Sequence, residues 1–162
     1  MPDIIIKLYI MDTKKTIEAL QFFITNLHAQ AFSHKLQAYI FKSKGYEKLS
    51  ALYLDHSGEE LGYVDQFIRR LLDLGGTLKQ EKIDEQPLIE DPVEYIKADN
   101  KVSVDGIEFL RKCMETIKDD YTTFDIFKQY LKDEEDDMYW QEEQLDLIEK
   151  IGVQNWLITK VI

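Results

Sequence analysis

Apolar residues recur at alternating intervals of three and four over four long segments of this 162-residue chain. This spacing places them on one face of an α-helix, and a repeat near 3.5 residues suits helices that pack side by side at shallow angles. The lines run from Ile17 to Phe41, from Leu49 to Leu74, from Val93 to Tyr121, and from Phe124 to Ile148. The pattern predicts four long helices with a shared apolar core.

Glycine and proline mark the helix ends. Gly45, Gly75-Gly76 and Gly152 follow apolar lines, and Asp91-Pro92 offers a capping side chain with proline at the first helical position. Thr122-Thr123 is the predicted cap of the fourth helix, with Asp125 following. The predicted helices cover about 14–43, 46–74, 92–120, 123–151 and 154–161.

These elements form two helical hairpins joined by the polar connection 77–90, which is too long for a tight turn. We therefore expect an all-α four-helix bundle with one long crossover and a short C-terminal fifth helix. The bundle comprises residues 12–162, and residues 1–11 form an N-terminal extension. This extension is either a real part of the protein or the result of assigning the start residue to Met1 instead of Met11.

The charge, the cysteine content and the lengths of the apolar segments limit the classes of partner and the cellular location that we expect. The net charge of −11 repels phosphate backbones, so nucleic acid is a poor partner, whereas cations would concentrate near the surface. The single Cys113 excludes a disulfide framework and fits a reducing compartment. The N-terminus has neither a basic lead nor a cleavage site, and no segment is long and apolar enough for a bilayer, so a cytoplasmic location without membrane contact is expected.

Polar residues interrupt each apolar line near its middle. They are His34 on the first helix, His56, Glu60 and Tyr63 on the second, Asn100 and Ser103 on the third, and Glu134, Asp137 and Gln141 on the fourth. If the first two helices pair about Gly45, His34 and His56 lie at one level. Such a layer could bind iron, manganese or zinc through its carboxylates, imidazoles and phenol, or it could be a hydrogen-bonded polar layer without metal. Spacing leaves both interpretations open.

Several segments resemble the bacterioferritins of the ferritin-like superfamily. They are Gly45 to Leu49, Phe67 to Gly76, Leu131 to Glu135, Trp140, and Gln144 to Leu157. The similarity extends over roughly residues 12–162 and implies a ferritin-like bundle, iron as the bound metal, and a homo-oligomeric cage of about 24 subunits. It also allows a cage mixed with an active ferritin subunit.

The family holds two irons with a Glu on the first and third helices and a Glu-x-x-His on the second and fourth. Those positions here are Leu27, Glu60 with Tyr63, Ser103, and Glu134 with Asp137. The resemblance therefore implies a divergent member without a normal di-iron ferroxidase centre. The family's haem-binding Met is replaced by Leu61, so haem is not expected.

The resemblance and the polar layer together leave three functions open. The first is iron storage, with Asp55 and Glu59 at inner-surface positions where relatives place iron-binding side chains; the alternative is that they form an ordinary solvated acidic face. The second is an enzyme or sensor with a repurposed metal site built from Glu60, Glu134, Asp137, Tyr63, His34 and His56. Ferroxidase activity, meaning oxidation of iron, is expected only if that altered site is active. The third is a DNA-protecting mini-ferritin, which the acidic charge and the fifth helix disfavour.

Overall fold

The computed structural model describes the backbone of residues 2–162 and the side chains of residues 13–162. Within that range the chain forms five α-helices and no strand. The helices are α1 Pro2–Ser43, α2 Glu47–Asp73, α3 Pro92–Ile117, α4 Tyr121–Ile151 and α5 Val153–Ile158. The predicted all-α bundle with a short fifth helix is confirmed.

Three helix boundaries differ from the prediction by three residues or more. Helix α1 begins at Pro2 instead of near residue 14, because proline is tolerated in a first helical turn and no breaker follows it. The predicted extension 1–11 therefore continues α1 from residue 2, while Met1 and all side chains of residues 1–12 lie outside the described part. Helices α3 and α5 end at Ile117 and Ile158, each three residues earlier than predicted.

The predicted caps were right for α3 and wrong for α4. The Asp91 carboxylate accepts a hydrogen bond from the backbone N–H of Glu94 at 2.9 Å, as the sequence indicated. At α4 the cap is Asp120 and not the Thr122-Thr123 pair: its carboxylate accepts from the N–H of Thr123 at 3.1 Å. An aspartate is the stronger acceptor because its charge also interacts favourably with the positive end of the helix dipole.

The helices pack as two hairpins, α1 with α2 and α3 with α4. Their buried side chains form two apolar clusters at the two ends of the bundle. One cluster is built on Leu20, Phe23, Leu27, Phe67, Leu110 and Phe127, and the other on Ala38, Phe41, Tyr53, Ile96 and Trp156. The polar residues that interrupt the sequence lines lie between these clusters. None of the helices in the described residues could cross a membrane.

The crossover between α2 and α3 is tied to α1 by two glutamine side chains. Gln21 accepts from the N–H of Lys79 at 3.0 Å and donates to the carbonyl of Lys79 at 3.1 Å. Gln37 does the same with Ile89, accepting from its N–H at 3.2 Å and donating to its carbonyl. Each side-chain amide thus satisfies the backbone N–H and C=O of one crossover residue, which have no helical partner. The crossover is therefore held along the outside of α1 at both ends.

Candidate functional site in the middle of the bundle

A buried polar layer separates the two apolar clusters, and each of the four long helices contributes to it. Its ionisable members are His34 of α1, Glu60 of α2, Asp99 of α3 and Glu134 of α4, all less than 9% exposed. An isolated charge in such surroundings would be costly, so its partners decide what the layer can do.

His34 contacts two carboxylates with its two ring nitrogens. Its Nδ1 lies 2.9 Å from Oε2 of Glu60, and its Nε2 lies 3.1 Å from Oδ1 of Asp99. The second oxygen of Glu60 accepts a hydrogen bond from Gln30 at 2.8 Å. His34 thus joins α1 to α2 and α3 through a continuous hydrogen-bonded chain.

Asp99 is the residue that the sequence analysis missed. Its Oδ2 accepts from the hydroxyl of Tyr53 at 3.1 Å and from the amide of Gln141 at 2.9 Å. The apolar line predicted Asn100 at this level of α3, but Asn100 is only half-buried and donates to Gln141 at 3.3 Å. Asp99 lies three residues after Ile96 and four residues before Ser103. It therefore fits the spacing of the apolar line as well as Asn100 does.

The surroundings of His34 favour its protonated form. Burial alone would lower its pKa, but the adjacent Glu60 and Asp99 outweigh this effect, and the pKa of His34 is raised well above its ordinary value. Burial raises the pKa of Glu60, and His34 opposes that rise. The protonated ring can then donate from both nitrogens, one to each carboxylate.

A second group of predicted residues lies on the α2–α4 side of the layer. Nε2 of His56 is 3.3 Å from Oδ1 of Asp137, and the ring centroids of His56 and His34 are 6.3 Å apart. The prediction that the two histidines share a level is confirmed. Burial, followed by the charge on His34, lowers the pKa of His56 to about 4. This histidine is therefore neutral at pH 7.

The carboxylates of this second group repel one another. Burial and the neighbouring Glu60 raise the pKa of Asp137 to about 7, and burial, Glu60 and Asp137 raise that of Glu134 well above its ordinary value. Negative charge at these positions is unfavourable without a cation, so protons or cations would be taken up here.

The remaining predicted residues lie at the edge of the layer or outside it. The phenol of Tyr63 donates to the backbone carbonyl of Gln129 at 3.4 Å, and burial raises its pKa to about 12. Asp55 and Glu59 are exposed on α2. Burial and the neighbouring Asp133 raise the pKa of Glu59.

A cavity of about 320 Å³ leads from the surface to the buried layer between α1, α3 and the crossover. His34 and Asp99 lie at its inner end, with Gln30, Tyr95 and Ile89 among its walls. Among the side chains of residues 13–162, however, no group of three or more His, Cys, Asp or Glu could hold a metal ion as arranged. The metal-site prediction therefore stays a prediction.

These features define a class, the four-helix bundles with one long crossover and a polar layer contributed by all four helices. Comparison with known proteins identifies the family within that class. The model of the ferritin-like domain matches residues 17–151. The chain belongs to the ferritin-like family.

Individual relatives agree with this assignment. A bacterial ferritin of Neisseria meningitidis serogroup B is 37% identical over 120 residues, which cover 72% of this chain and 77% of that protein. A bacterioferritin of Streptomyces coelicolor is 30% identical over 128 residues, covering 78% and 77%. A bacterial ferritin of Pseudomonas aeruginosa is 29% identical over 150 residues, covering 91% and 97%. The resemblance to bacterioferritins is confirmed.

Proposed function

We propose that this chain is a subunit of a ferritin-type cage that stores iron, and that it lacks both a normal di-iron ferroxidase centre and haem. The cage is a homo-oligomer of about 24 subunits, or a mixed shell in which an active ferritin subunit oxidises the iron. Iron is then the cargo of the cage, and the bundle of this subunit is mainly structural.

The replaced ligand positions carry this proposal. Leu27 stands where the family pattern has the first-helix Glu; it is 2% exposed and packs within an apolar cluster. Ser103 stands where the pattern has the third-helix Glu, and its hydroxyl accepts a hydrogen bond from Gln141 at 3.1 Å. Neither side chain supplies a negative charge. Two irons in this layer would therefore lack two of the carboxylates that balance their charge.

The absence of haem is supported by Leu61, at the position of the family's haem-binding Met. An aliphatic side chain has no donor atom for iron. Leu61 is 39% exposed on α2.

Asp55 and Glu59 support the storage role. Both lie one turn apart on the exposed face of α2, where the resemblance places the inner surface of a cage. The raised pKa of Glu59, caused by burial and by neighbouring acids, indicates that a cation there would relieve repulsion.

The second candidate is an enzyme or sensor with a repurposed mononuclear metal site. The observation that favours it is the 3.3 Å contact between His56 and Asp137, beside the repelling carboxylate of Glu134. A neutral imidazole next to two carboxylates is a suitable donor set for iron, manganese or zinc. This candidate requires about one tightly held metal ion per subunit.

The test is the initial rate of aerobic Fe²⁺ oxidation by the purified protein, compared with a variant that restores the family pattern. That variant carries Leu27→Glu, Tyr63→His, Ser103→Glu and Asp137→His, together with His34→Tyr, which frees Glu60 from the imidazole. We expect the unmodified protein to oxidise iron no faster than buffer does, and the restored variant to show a rapid phase. Rapid oxidation of two irons per subunit by the unmodified protein would contradict the proposal.

The matched control carries Leu27→Gln and Ser103→Gln in place of the two Glu substitutions. Glutamine has nearly the same volume as glutamate but no charge, so the control separates restored ligands from altered packing. Light scattering on every variant shows whether the assembly survives. A rapid phase in the control as well would mean that the two added carboxylates are not the cause.

A further inference from the structure

We propose that His34 takes the place of a metal ion in the middle of the bundle. Its imidazole ring joins Glu60 to Asp99 and keeps divalent cations away from both carboxylates. This inference rests on the proposed absence of a normal di-iron centre, and it adds the residue that makes the layer stable without metal.

The imidazole ring of His34 occupies the space that a metal ion shared by Glu60 and Asp99 would need. The two nitrogens of an imidazole point to different sides of the ring, and here each meets a carboxylate oxygen, at 2.9 Å and 3.1 Å. A metal ion bound by Glu60 and Asp99 together would need the space that the ring occupies. The ring has no lone pair left for a metal while both nitrogens donate.

The charges of His34, Glu60 and Asp99 are partly balanced within the layer without a metal ion. Two contacts to ionised carboxylates require two N–H donors, so either the ring is protonated or one carboxyl keeps the proton. In both arrangements His34, Glu60 and Asp99 together carry one proton more than a neutral imidazole between two ionised carboxylates, and this proton partly neutralises the two acidic groups. A bridging metal would serve the same purpose, and the layer does not need it.

The other oxygens of these carboxylates are also occupied by protein donors. Gln30 donates to Glu60 at 2.8 Å, and Tyr53 and Gln141 donate to Asp99 at 3.1 Å and 2.9 Å. Within residues 13–162, every fully buried side-chain nitrogen and oxygen has a hydrogen-bond partner. An entering cation would have to displace several of these bonds, and this cost disfavours binding.

The test compares thermal unfolding of the assembled protein, freed of metal by a chelator, before and after addition of Mn²⁺ or Zn²⁺. We expect the midpoint of the unmodified protein to move by less than about 1 °C. The variant His34→Ala should unfold at a lower temperature. Its midpoint should then rise by about 5–10 °C when the metal is present at about a hundred times its dissociation constant, because Glu60 and Asp99 are free to bind it.

The matched control is Phe41→Ala on the same helix. Phe41 is fully buried, and its truncation leaves a cavity without freeing a carboxylate. This variant should lose stability and gain none of it back with metal. If His34→Ala does not fold, His34→Gln provides the test, since its neutral amide keeps a similar volume but has its donors on a single nitrogen and carries no positive charge.

Two results would overturn the inference. One is a rise in the unmodified protein as large as the rise in His34→Ala, which would mean that His34 does not keep the metal away from Glu60 and Asp99. The other is the absence of a metal response in both His34→Ala and His34→Gln. Failure of the proposed function gives a different result: the protein does not assemble or store iron, while the metal response of the His34 variants is unchanged.

Discussion

Asp99 accepts three hydrogen bonds in the polar layer, so changing it tests how much the layer contributes to stability. In Asp99→Asn, the amide oxygen can keep the bonds from Tyr53 and Gln141, while the amide nitrogen then faces Nε2 of His34. Two N–H donors cannot bond to each other, so the ring must release its proton from Nε2. The variant therefore loses one charge-assisted bond, and we expect a cost of about 1.5–3 kcal/mol.

The variant Asp99→Leu removes all three acceptor interactions at once. It leaves the donors of Tyr53, His34 and Gln141 unsatisfied inside the bundle, and each unsatisfied group costs about 1–3 kcal/mol. We expect a total loss of about 3–5 kcal/mol or more, which is a large part of the stability of an average domain.

The assay is equilibrium unfolding in guanidinium chloride at one fixed protein concentration, because assembly contributes to the measured stability. The control is Asp105→Asn on the same helix, whose carboxylate forms an exposed pair with Lys101. That change should cost less than about 0.5 kcal/mol. The reasoning is refuted if Asp99→Asn behaves like the control, or if Asp99→Leu is no worse than Asp99→Asn.

Three further predictions concern other parts of the bundle. Trp156→Ala should cost about 3–5 kcal/mol in guanidinium unfolding, because this fully buried ring anchors α5, whereas Trp156→Phe should cost much less. Gly76→Ala should lower the unfolding midpoint, because its Cβ would lie 2.8 Å from a methyl of Leu71; Gly106→Ala, whose Cβ meets nothing within 4 Å, should raise it. Burial opposes ionisation of Asp120, but hydrogen bonds from Thr123 and Arg70 outweigh burial and lower the pKa of this carboxyl. Ionised Asp120 therefore stabilises the folded state near neutral pH, and this stabilisation is lost as pH falls below about 4. Asp120→Asn should flatten that pH dependence in acid titrations followed by circular dichroism.

The sequence predicted the helices and the level of the polar layer because both depend on spacing along one chain. His34 and His56 could be placed together from their equal distance to the turn at Gly45. The start of α1 at Pro2 was missed because the shared apolar line begins only at Ile17. A helix can continue beyond the residues that pack against its neighbours.

The partners of His34 could not be predicted from spacing. Asp99 and Asn100 fit the third line almost equally well, and the rotation of α3 against its neighbours decides which of them is buried. Whether His34 contacts a metal or two carboxylates depends on its side-chain rotamer and on the donors around Glu60 and Asp99. These are properties of the packed bundle and not of any single helix.

We propose that this ferritin-like subunit assembles and stores iron without a metal centre inside its own bundle. The most direct test is elemental analysis after aerobic iron loading, together with the particle mass from light scattering. We predict a large shell that holds many irons per subunit, after loading alone or together with an active ferritin subunit, and that keeps no stoichiometric metal once its mineral is reduced and chelated. A shell that never takes up iron under either condition, or one that retains about one or two tightly bound metal ions per subunit, would contradict the account.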